Sequence, residues 1–376
     1  MNITKLKICF FSINAYPLFN PDCKDIFGGA EIQLYQLAKK ISEHDDFSVS
    51  FFVADVGQKP VERYGKIVVL KAYPIDNRKK NFFRKIYHGI FKKLVFFFKL
   101  TSLNPDVCVH RAAGIETGII CFFAKIFRRK FIYMVASLKD VDGGYAETYR
   151  IRGKIYEYGL KNTDLVLVQS KDQQKILKEK YGKHSEILKN SFPVPESRED
   201  GKREFILWVG SSQKLKQPEK FLELAKQFPD EKFLMVMPKN DLILWEKIHR
   251  EAEKVENLEF IERVPFENID AYFRQTKLFV NTSTFEGFPN TFVQAAMFGT
   301  PIVSLNVNPD NFINEYGCGY CADGDMDKTK EQIKKLLENQ EDWKVKSGNA
   351  RRYAEENHDI EKNVEKLKEI IRSCLA

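Results

Sequence analysis

The sequence lacks an apolar stretch long enough to cross a membrane as a helix. The longest candidate, Leu94–Phe98, lies between Lys93 and Lys99, whereas a spanning helix needs about 18 or more apolar residues. The apolar N-terminal stretch is also short, is interrupted by Asn14, and is followed by no small-residue cleavage site. We therefore interpret it as a first strand rather than as a secretory signal.

Other scarcities narrow the class of protein further. Glycine (20 residues) and proline (14 residues) are too few among 376 residues for long low-complexity linkers. Seven cysteines, an odd number without framework spacing, predict reduced thiols and a cytoplasmic protein. Cys318 and Cys321 have the spacing of half a zinc site, but no second pair lies nearby, so we expect no metal there.

Charge is distributed unevenly along the chain. The whole sequence has 60 lysines and arginines against 52 acids, a net charge of +8. Residues 1–195 carry 33 basic and 19 acidic side chains, whereas residues 196–376 carry 27 and 33. A basic and an acidic half favour two domains with different partners. The basic half suits nucleic acid, an anionic membrane or a phosphorylated ligand.

Short apolar or aromatic runs alternate with helical patterns along the whole chain. In the first half the predicted strands are Leu6–Ser12, Ser48–Ala54, Ile67–Ala72, Val107–His110, Phe131–Val135 and Leu165–Val168. The segment from Asn190 to Arg203 has the prolines and charges of a linker, and the alternation begins again after it. The rhythm predicts an α/β protein with two Rossmann-like domains whose parallel sheets face a cleft. We place these domains at 1–195 and 196–357, followed by a last helix over 358–376.

Two loops are suited to binding an anion. Gly28 and Gly29 directly precede a predicted helix, whose free N–H groups can meet a phosphate. An ordinary glycine turn is the alternative. Lys214 and Lys216 lie between a predicted strand and a helix that Pro218 begins, where a lysine can neutralise a phosphate. A solvated lysine fits that local pattern equally well.

A third loop carries a carboxylate. Glu286 is followed by Gly-Phe-Pro-Asn-Thr and then by a predicted helix. A loop carboxylate of this kind can bind sugar hydroxyls, and the start of the helix can receive negative charge from a leaving phosphate. The same composition also fits a turn that only caps the helix.

Two of these segments together resemble a known family. The stretches VGSSQKLKQPEKFLELA, from Val209, and EGFPNTFVQAAMFGTPIVSL, from Glu286, are similar to the retaining glycosyltransferases of family 4. The resemblance spans most of the chain, includes GGAE at 28–31, and is strongest over residues 205–310. It implies the GT-B architecture, a C-terminal helix that crosses back to the first domain, and sugar transfer with retention of the anomeric configuration.

The resemblance also implies roles for individual residues. Glu286 falls on the first carboxylate of the family's E-x7-E motif, which contacts the donor sugar, and Lys216 falls on its diphosphate-binding lysine. Val264 falls on the loop that contacts the base. Further donor contacts are implied for Gly29, Gly210, Ser211, Lys214, Gly287, Phe288, Pro289, Asn290, Thr291 and Gln294. The stretch from Gly287 to Asn290 would line the donor pocket with backbone amides.

Three positions depart from the family's pattern. Gln294 stands in place of the second carboxylate; an amide can still bond a ribose hydroxyl but brings no charge. Ser211 stands where an arginine often follows the glycine, so Lys214 is the candidate to compensate. Many members have a histidine after the strand Phe131–Val135, where this chain has Ala136.

Other polar residues follow the same strands of the first domain. His110 and Arg111 are the substitutes for the missing histidine that lie nearest in sequence, and we take both as candidate catalytic contacts. A structural role for His110 is the alternative. Asp140 and Asp142 form a D-x-D pair, the metal motif of the other glycosyltransferase architecture, which lacks a second Rossmann-like half. We therefore expect no metal or other cofactor, and assign this pair to acceptor binding.

The expected enzyme moves a sugar from a UDP- or GDP-sugar to a glycan or lipid-linked acceptor. Lys216 and Lys214 would stabilise the leaving diphosphate without a metal. An epimerase of the same fold is an alternative, but the sequence shows no positioned acid and base side chains for it. A non-catalytic basic binding protein is the other alternative, and the acid-free stretch from Asn77 to Pro105 favours it. Because the family resemblance implies a sugar transferase, we expect no nucleic-acid partner.

The acid-free stretch fits a membrane partner instead. At 100° per residue, Lys80–Lys99 has one apolar face, formed by Phe83, Ile86, Tyr87, Ile90, Leu94 and Phe97. The other face combines aromatic with basic side chains, namely Phe82, Arg84, Lys85, Lys92, Lys93, Phe96 and Lys99. Basic faces with aromatics suit an anionic membrane surface. We therefore expect residues 79–99 to dock the protein peripherally on the inner face of the cell membrane.

Overall fold

The chain folds into two units, each built around its own sheet. The structure is a computed structural model that describes residues 5–74, 96–195 and 202–376. Unit 1 contains Met1–Lys189 and Ile360–Ala376, and unit 2 contains Asn190–Asp359. The breaks therefore lie a few residues from the predicted boundaries at 195 and 357. In the described part of the chain, no helix is both long and apolar enough to cross a bilayer.

The sheet of unit 1 has eight described strands. They are β1 (Leu6–Phe11), β2 (Phe47–Asp55), β3 (Val61–Tyr64), β4 (Ile67–Pro74), β5 (Val107–Arg111), β6 (Lys130–Met134), β7 (Leu165–Val168) and β8 (Glu186–Ile187). Their order across the sheet is β3-β4-β2-β1-β5-β6-β7-β8, and the pairings are parallel except that β3 runs antiparallel to β4. The sequence predicts the parallel part; the β3–β4 hairpin was not predicted.

β1 lies at the centre of this sheet. Ile8 pairs with Val49 of β2 on one side and with Val107 of β5 on the other. Ile8, Cys9 and Phe10 have no exposed surface. Continuous burial of this kind is expected for a central parallel strand, because helices cover both faces of such a sheet.

Six helices of the N-terminal part of unit 1 have both ends within the described residues. They are α1 (Tyr16–Phe19), α2 (Gly29–Ile41), α3 (Ile115–Ile126), α4 (Gly144–Thr148), α5 (Arg150–Asn162) and α6 (Lys171–Tyr181). α3 and α5, which the sequence analysis missed, pack closely because glycines lie between them. A Cβ atom at Gly159 would lie 2.6 Å from the backbone of Thr117, and one at Gly118 would lie 2.2 Å from the carbonyl oxygen of Ile155.

Residues 96–103 are helical, whereas residues 79–95 of the predicted docking stretch lie outside the described residues. The sequence predicts Phe96 on the outer, basic face. In the structure Phe96 is 2% exposed, and its ring packs edge-on against Phe11 and Phe52, with centroids 5.8 and 5.2 Å apart. Its predicted position is therefore wrong, because the aromatic ring completes the core beside β1 and β2.

Lys99 also differs from its predicted place on the basic face. Its Nζ donates hydrogen bonds to the carbonyl oxygens of Lys71 (2.6 Å) and Ala72 (3.3 Å) in β4. An ammonium group held by these acceptors is not presented to a lipid phosphate. The assignment of Lys99 to a membrane-facing surface is therefore wrong.

Unit 2 repeats the α/β pattern with a six-stranded sheet. Its strands are β9 (Phe205–Val209), β10 (Lys232–Val236), β11 (Leu258–Ile261), β12 (Thr276–Asn281), β13 (Ile302–Ser304) and β14 (Gly319–Cys321). All described pairings are parallel, in the order β11-β10-β9-β12-β13-β14. The helices are α7 (Pro218–Gln227), α8 (Leu242–Ala252), α9 (Ile269–Arg274), α10 (Asn290–Met297), α11 (Phe312–Glu315), α12 (Met326–Glu338) and α13 (Gln340–Asn357).

The start of the predicted linker belongs to the core of unit 2. Asn190, Ser191 and Phe192 are at most 4% exposed, and Phe192 forms a parallel bridge with Asp359. This stretch is therefore not the exposed linker that its prolines suggest, because strand-like pairing and side-chain burial fix it. Residues 196–201 lie outside the described residues.

The last helix, α14 (Ile360–Leu375), belongs to unit 1. It packs against α2, where Lys40 forms an ion pair with Glu361 at 2.5 Å. Arg372 forms a second ion pair at 2.5 Å with Asp46, directly before β2. Its buried side chains, Val364, Leu367 and Ile371 among them, follow the spacing of one helix face. The chain thus ends in the unit in which it begins.

Candidate functional site

The strand order identifies one edge of the unit 2 sheet as a place for a ligand. From β9 the chain continues to β10 on one side and, later, to β12 on the other. The loops that follow β9 and β12 therefore diverge at the carboxyl ends of neighbouring strands. Such switch points are where open parallel sheets bind their ligands. These two loops carry Lys216 and Glu286.

The loop after β9 ends in a short 3-10 turn, Lys214–Lys216. Gln217 then takes up a left-handed conformation (φ 45°) before Pro218 starts α7. Proline is favoured at this position, since the first helical N–H groups have no partner inside the helix. The turn thus fixes where the backbone of Lys216 lies.

A second set of contacts fastens this turn to the loop after β12. Trp208 Nε1 donates to Thr282 Oγ1 at 2.9 Å, and that hydroxyl donates to the carbonyl oxygen of Lys216 at 2.7 Å. The amide of Thr284 donates to the carbonyl oxygen of Leu215 at 2.8 Å. The two loops are therefore held as one piece.

Glu286 and Lys216 meet at this edge. Lys216 Nζ lies 2.7 Å from Glu286 Oε2, and the two side chains are 21% and 14% exposed. The other carboxylate oxygen, Oε1, accepts hydrogen bonds from Ser283 Oγ at 2.7 Å and from Asn281 Nδ2 at 3.1 Å. The carboxylate is thus oriented by two polar side chains and neutralised by one cation.

Three further predicted donor contacts lie in the lysine loop. A Cβ atom at Gly210 would lie 2.8 Å from the ring of Trp208, so the glycine lets that ring reach Thr282. Ser211 is half-buried and Lys214 is exposed. The side chain of Lys214 has no ion-pair partner in the described part of the chain, and it lies two residues before Lys216.

The segment that follows Glu286 is mostly internal. The ring of Phe288 is 6% exposed and packs against Phe312 and His358, with centroids 5.2 and 5.0 Å apart. Pro289 has no N–H, so it cannot donate the backbone amide that was predicted for the stretch from Gly287 to Asn290. That part of the prediction is wrong for Pro289.

The first turn of α10 begins beside this segment. Asn290 and Thr291, both half-buried, are its first two residues, and the amides at a helix start point outward toward a potential anion. Gln294, one turn later, is 6% exposed. Val264 is half-buried in the loop after β11, the edge strand of the sheet, so it lies two strands away from β9.

Unit 1 has its own switch point, between β1 and β5. Gly28 and Gly29, both exposed, start α2 in the loop after β1. Glu31 folds back on this start, and its Oε2 accepts the amide of Gly28 at 2.9 Å. The helix start is therefore already capped by a carboxylate, which lowers its attraction for a further anion.

His110 and Arg111 lie at the end of β5 and are 7% and 5% exposed. His110 Nδ1 lies 2.9 Å from the carbonyl oxygen of Phe11; because a carbonyl only accepts, Nδ1 carries the proton. Nε2 then has a free lone pair, and it forms no hydrogen bond with any described residue. Burial lowers the pKa of His110, so the ring is neutral at pH 7.

Arg111 remains a cation in this buried setting. Burial lowers the pKa of its guanidinium group to about 10, against the opposing influence of Asp140 and Glu31. The group is therefore still protonated at neutral pH. A buried arginine beside two carboxylates supplies positive charge to the carboxyl end of β5.

The two aspartates assigned to the acceptor have different surroundings. Asp140 is 4% exposed, and its carboxylate accepts hydrogen bonds from Tyr133 (3.1 Å), the amide of Ala136 (2.8 Å) and Ser137 Oγ (2.7 Å). It therefore stabilises the turn after β6, and its assignment to acceptor binding is wrong. Asp142 is exposed and remains accessible.

The cysteine pair that has the spacing of half a zinc site lies in unit 2. Cys318 and Cys321 are free thiols and are buried. Within residues 5–74, 96–195 and 202–376, no group of three or more histidine, cysteine, aspartate and glutamate side chains is arranged to hold a metal ion.

Lys216 and Glu286 were predicted from the sequence, but the residues that hold them were not. Asn281 and Ser283 bond to the Glu286 carboxylate, and Thr282 bonds to the carbonyl oxygen of Lys216. Trp208 in turn donates to the hydroxyl of Thr282. The available signal was the run of four small polar residues from Asn281 that directly follows an apolar strand. Such a run at the carboxyl end of a buried parallel strand indicates a site rather than a simple turn.

Comparison with known proteins identifies what the two parts of this chain are similar to. Residues 193–371 match the model of the protein family described as Glycosyl transferases group 1. An uncharacterised glycosyltransferase of Methanocaldococcus jannaschii is 22% identical over 381 residues, which cover 91% of this chain and 94% of that protein.

Solved structures extend the likeness to the whole chain. Sucrose-phosphate synthase from Thermosynechococcus elongatus has a TM-score of 0.78 at 14% identity, with 98% of this chain and 99% of that chain covered. HepE from Anabaena in complex with UDP and glucose has a TM-score of 0.72 at 16% identity, with 98% of this chain and 100% of that chain covered. At such identities the likeness establishes the fold, which is GT-B.

Proposed function

We propose that this chain, a glycosyltransferase whose residues 193–371 match the family model of the group 1 glycosyl transferases, transfers a sugar from a UDP- or GDP-sugar to a hydroxyl of a glycan or lipid-linked acceptor. Assignment to family 4 and retention of the anomeric configuration are part of the proposal. The observation that carries it is the cation and carboxylate, Lys216 and Glu286, 2.7 Å apart at the switch point of unit 2.

The donor's diphosphate is assigned to Lys216. Cleavage of the bond between sugar and phosphate leaves negative charge on the diphosphate, and a preorganised cation stabilises that charge as it develops. Lys214, exposed and two residues away, is assigned an auxiliary role. The amides of Asn290 and Thr291 at the start of α10 add partial positive charge. No metal is required in this scheme, so chelation with EDTA should leave turnover unchanged.

The donor sugar is assigned to Glu286. Its carboxylate is oriented by Ser283 and Asn281, and a fixed acceptor can align sugar hydroxyls through short hydrogen bonds. Gln294 and Val264 are assigned to the nucleoside, as the family resemblance implies. With retention, the departing phosphate oxygen acts as the base toward the acceptor hydroxyl.

Unit 1 is assigned to the acceptor side, and Arg111 and His110, at the end of β5, are kept as candidate catalytic contacts. Arg111 offers charge, and His110 Nε2 offers a hydrogen-bond acceptor. The accessible carboxylate of Asp142 is a further candidate. Gly29 stays a weaker candidate, because Glu31 already caps the helix that it begins.

A membrane-associated acceptor completes the proposal. The acid-free stretch from Asn77 to Pro105 supports docking on anionic lipid through residues 79–99, with Phe96 and Lys99 excepted. Replacing Arg84, Lys85, Lys92 and Lys93 together by glutamate should release the protein from anionic liposomes at low salt while leaving donor binding intact. Wild-type protein that does not co-sediment with such liposomes, or a variant that still does, contradicts the docking.

Two measurements test the donor assignment. A thermal-shift screen against UDP- and GDP-sugars should identify a stabilising donor, because a ligand that binds the folded state raises its apparent stability. With that donor, release of the nucleoside diphosphate should be abolished in Glu286→Ala but not in wild type. A wild-type protein that neither binds nor cleaves any of these donors contradicts the proposal. NMR of the product then gives its anomeric configuration.

A further inference from the structure

Four consecutive residues connect β12 to the loop of Glu286, and their side chains alternate in function. The first and third, Asn281 and Ser283, both donate hydrogen bonds to Glu286 Oε1. The second and fourth, Thr282 and Thr284, instead donate through their hydroxyls to carbonyl oxygens of the lysine loop, at 2.7 Å to Lys216 and 3.3 Å to Leu215. An extended chain points successive side chains to opposite sides, so one short segment reaches both members of the ion pair.

We propose that Asn281 and Ser283 are positioning residues that hold the carboxylate of Glu286 through Oε1. The other oxygen, Oε2, is thereby left to bind the donor sugar. Oε1 is engaged by both, at 3.1 and 2.7 Å, whereas Oε2 contacts Lys216. This inference rests on the proposed function, since it deepens the role assigned to Glu286.

The two positioning residues are themselves fixed. Asn281 Oδ1 accepts the amide of Ser283 at 3.0 Å, which orients the Asn281 amide so that Nδ2 faces Glu286. The carbonyl oxygen of Asn281 accepts the amide of Leu305 at 2.8 Å, which anchors the strand end on β13. Asn281 is 5% exposed and Ser283 1%, so water does not readily replace either hydrogen bond.

Burial and charge give these hydrogen bonds their strength. Bonds from neutral donors to a carboxylate are shorter and about twice as strong as bonds between neutral groups. A side chain that must meet a sugar hydroxyl within a few tenths of an ångström gains most from such support, because small misplacements of a positioned group cost large factors in rate. Loss of the Ser283 hydroxyl should therefore reduce turnover by about tenfold or more.

The test compares three serine variants in the full-length protein. Ser283→Ala removes the donor, and Ser283→Thr keeps a hydroxyl at the same place. Ser304→Ala is the matched control: Ser304 pairs with Asn281 across the sheet, is fully buried, and its Oγ forms no hydrogen bond with any described residue. The donors tested are UDP-glucose, UDP-N-acetylglucosamine and GDP-mannose. The rate of release of the nucleoside diphosphate measures turnover, and calorimetry with UDP and GDP measures affinity.

We expect Ser283→Ala to lower kcat by about tenfold or more, while the Kd of the bare nucleoside diphosphate stays within about twofold of wild type. Ser283→Thr should recover most of the loss, and Ser304→Ala should behave as wild type. A purely structural role would instead weaken diphosphate binding together with kcat. That parallel loss, or equal loss in the Ala and Thr variants, overturns the inference.

The positioning role and the proposed function are contradicted by different results. If wild type turns over a donor and Glu286→Ala does not, but Ser283→Ala is as active as wild type, then only the positioning role is wrong. If wild type binds and cleaves none of the donors, the proposed function is wrong and the positioning role is overturned with it.

Discussion

Glu286→Gln should tighten the binding of bare UDP or GDP while it abolishes sugar transfer. In the structure, Lys216 already has an ion-pair partner, since its Nζ lies 2.7 Å from Glu286 Oε2. A diphosphate that binds Lys216 must share it with this carboxylate or displace it. Glutamine has the same shape but no charge, so it releases the lysine and removes a repulsion toward the diphosphate.

The magnitude follows from the setting of the pair. Two unit charges about 4 Å apart interact with about 4 kcal/mol at an effective dielectric constant of about 20. Desolvation and side-chain entropy remove most of this, and fully exposed pairs retain only about 0.2–1 kcal/mol. Side chains that are 21% and 14% exposed place this pair above that range. We expect a gain of about 1.4 kcal/mol, or about tenfold in Kd.

The assay is calorimetry of UDP and GDP with wild type, Glu286→Gln, Lys216→Met and the double variant. In the Lys216→Met background, Glu286→Gln should gain clearly less than tenfold, since only the repulsion remains to be relieved. The affinity for the intact donor should rise less than that for the bare diphosphate, because the glutamine no longer binds the sugar as a carboxylate does. Unchanged or weaker diphosphate binding in Glu286→Gln would refute the competition between carboxylate and phosphate.

The remaining predictions concern the turn that carries Lys216 and buried or helical residues in both units. Thr282→Val removes the hydroxyl that bonds the carbonyl oxygen of Lys216, so the affinity for UDP or GDP, measured by calorimetry, should weaken several-fold. An unchanged affinity would show that the turn Lys214–Lys216 keeps its conformation without this hydrogen bond. Gly159→Ala should destabilise unit 1 by about 1–3 kcal/mol in urea unfolding, because the new Cβ atom would meet the Thr117 backbone. Gly348→Ala, at a position in α13 where a Cβ atom meets nothing within 4 Å, should instead raise the free energy of unfolding by about 0.5–1 kcal/mol. Asp140→Ala should destabilise by about 3 kcal/mol, since buried donors lose their acceptor; a loss below about 1 kcal/mol would contradict the structural role. Burial lowers the pKa of His110, so its contribution to stability is present above its unfolded pKa of about 6.5 and is lost as the pH falls below that value. His110→Gln should therefore reduce the fall in the free energy of unfolding on the acid side of a pH profile.

Periodicity and motif were sufficient for much of this protein. Buried parallel strands are continuous apolar runs in the sequence. The positions of β1, β5, β6 and β7 could therefore be predicted without any tertiary information. Lys216 and Glu286 were also identifiable, because each follows such a strand and precedes a helix start. α3 and α5 were missed, since glycine lowers the intrinsic preference of a segment for a helix. Their glycines Gly118 and Gly159 instead let the two helices pack closely on each other.

The sequence determined which residue types stand at the ends of which strands; the tertiary structure decided which of them meet. Lys216 and Glu286 are 70 positions apart, and only the strand order, with β9 beside β12, makes them partners at 2.7 Å. Burial is likewise a property of the whole fold: Asp140 and Phe96 have the sequence context of exposed residues, yet Asp140 is enclosed by the hydrogen bonds of one turn and Phe96 by two aromatic rings. Local pattern fixes the identity of a side chain and its element, whereas the neighbours that satisfy its charge or cover its surface come from distant parts of the chain.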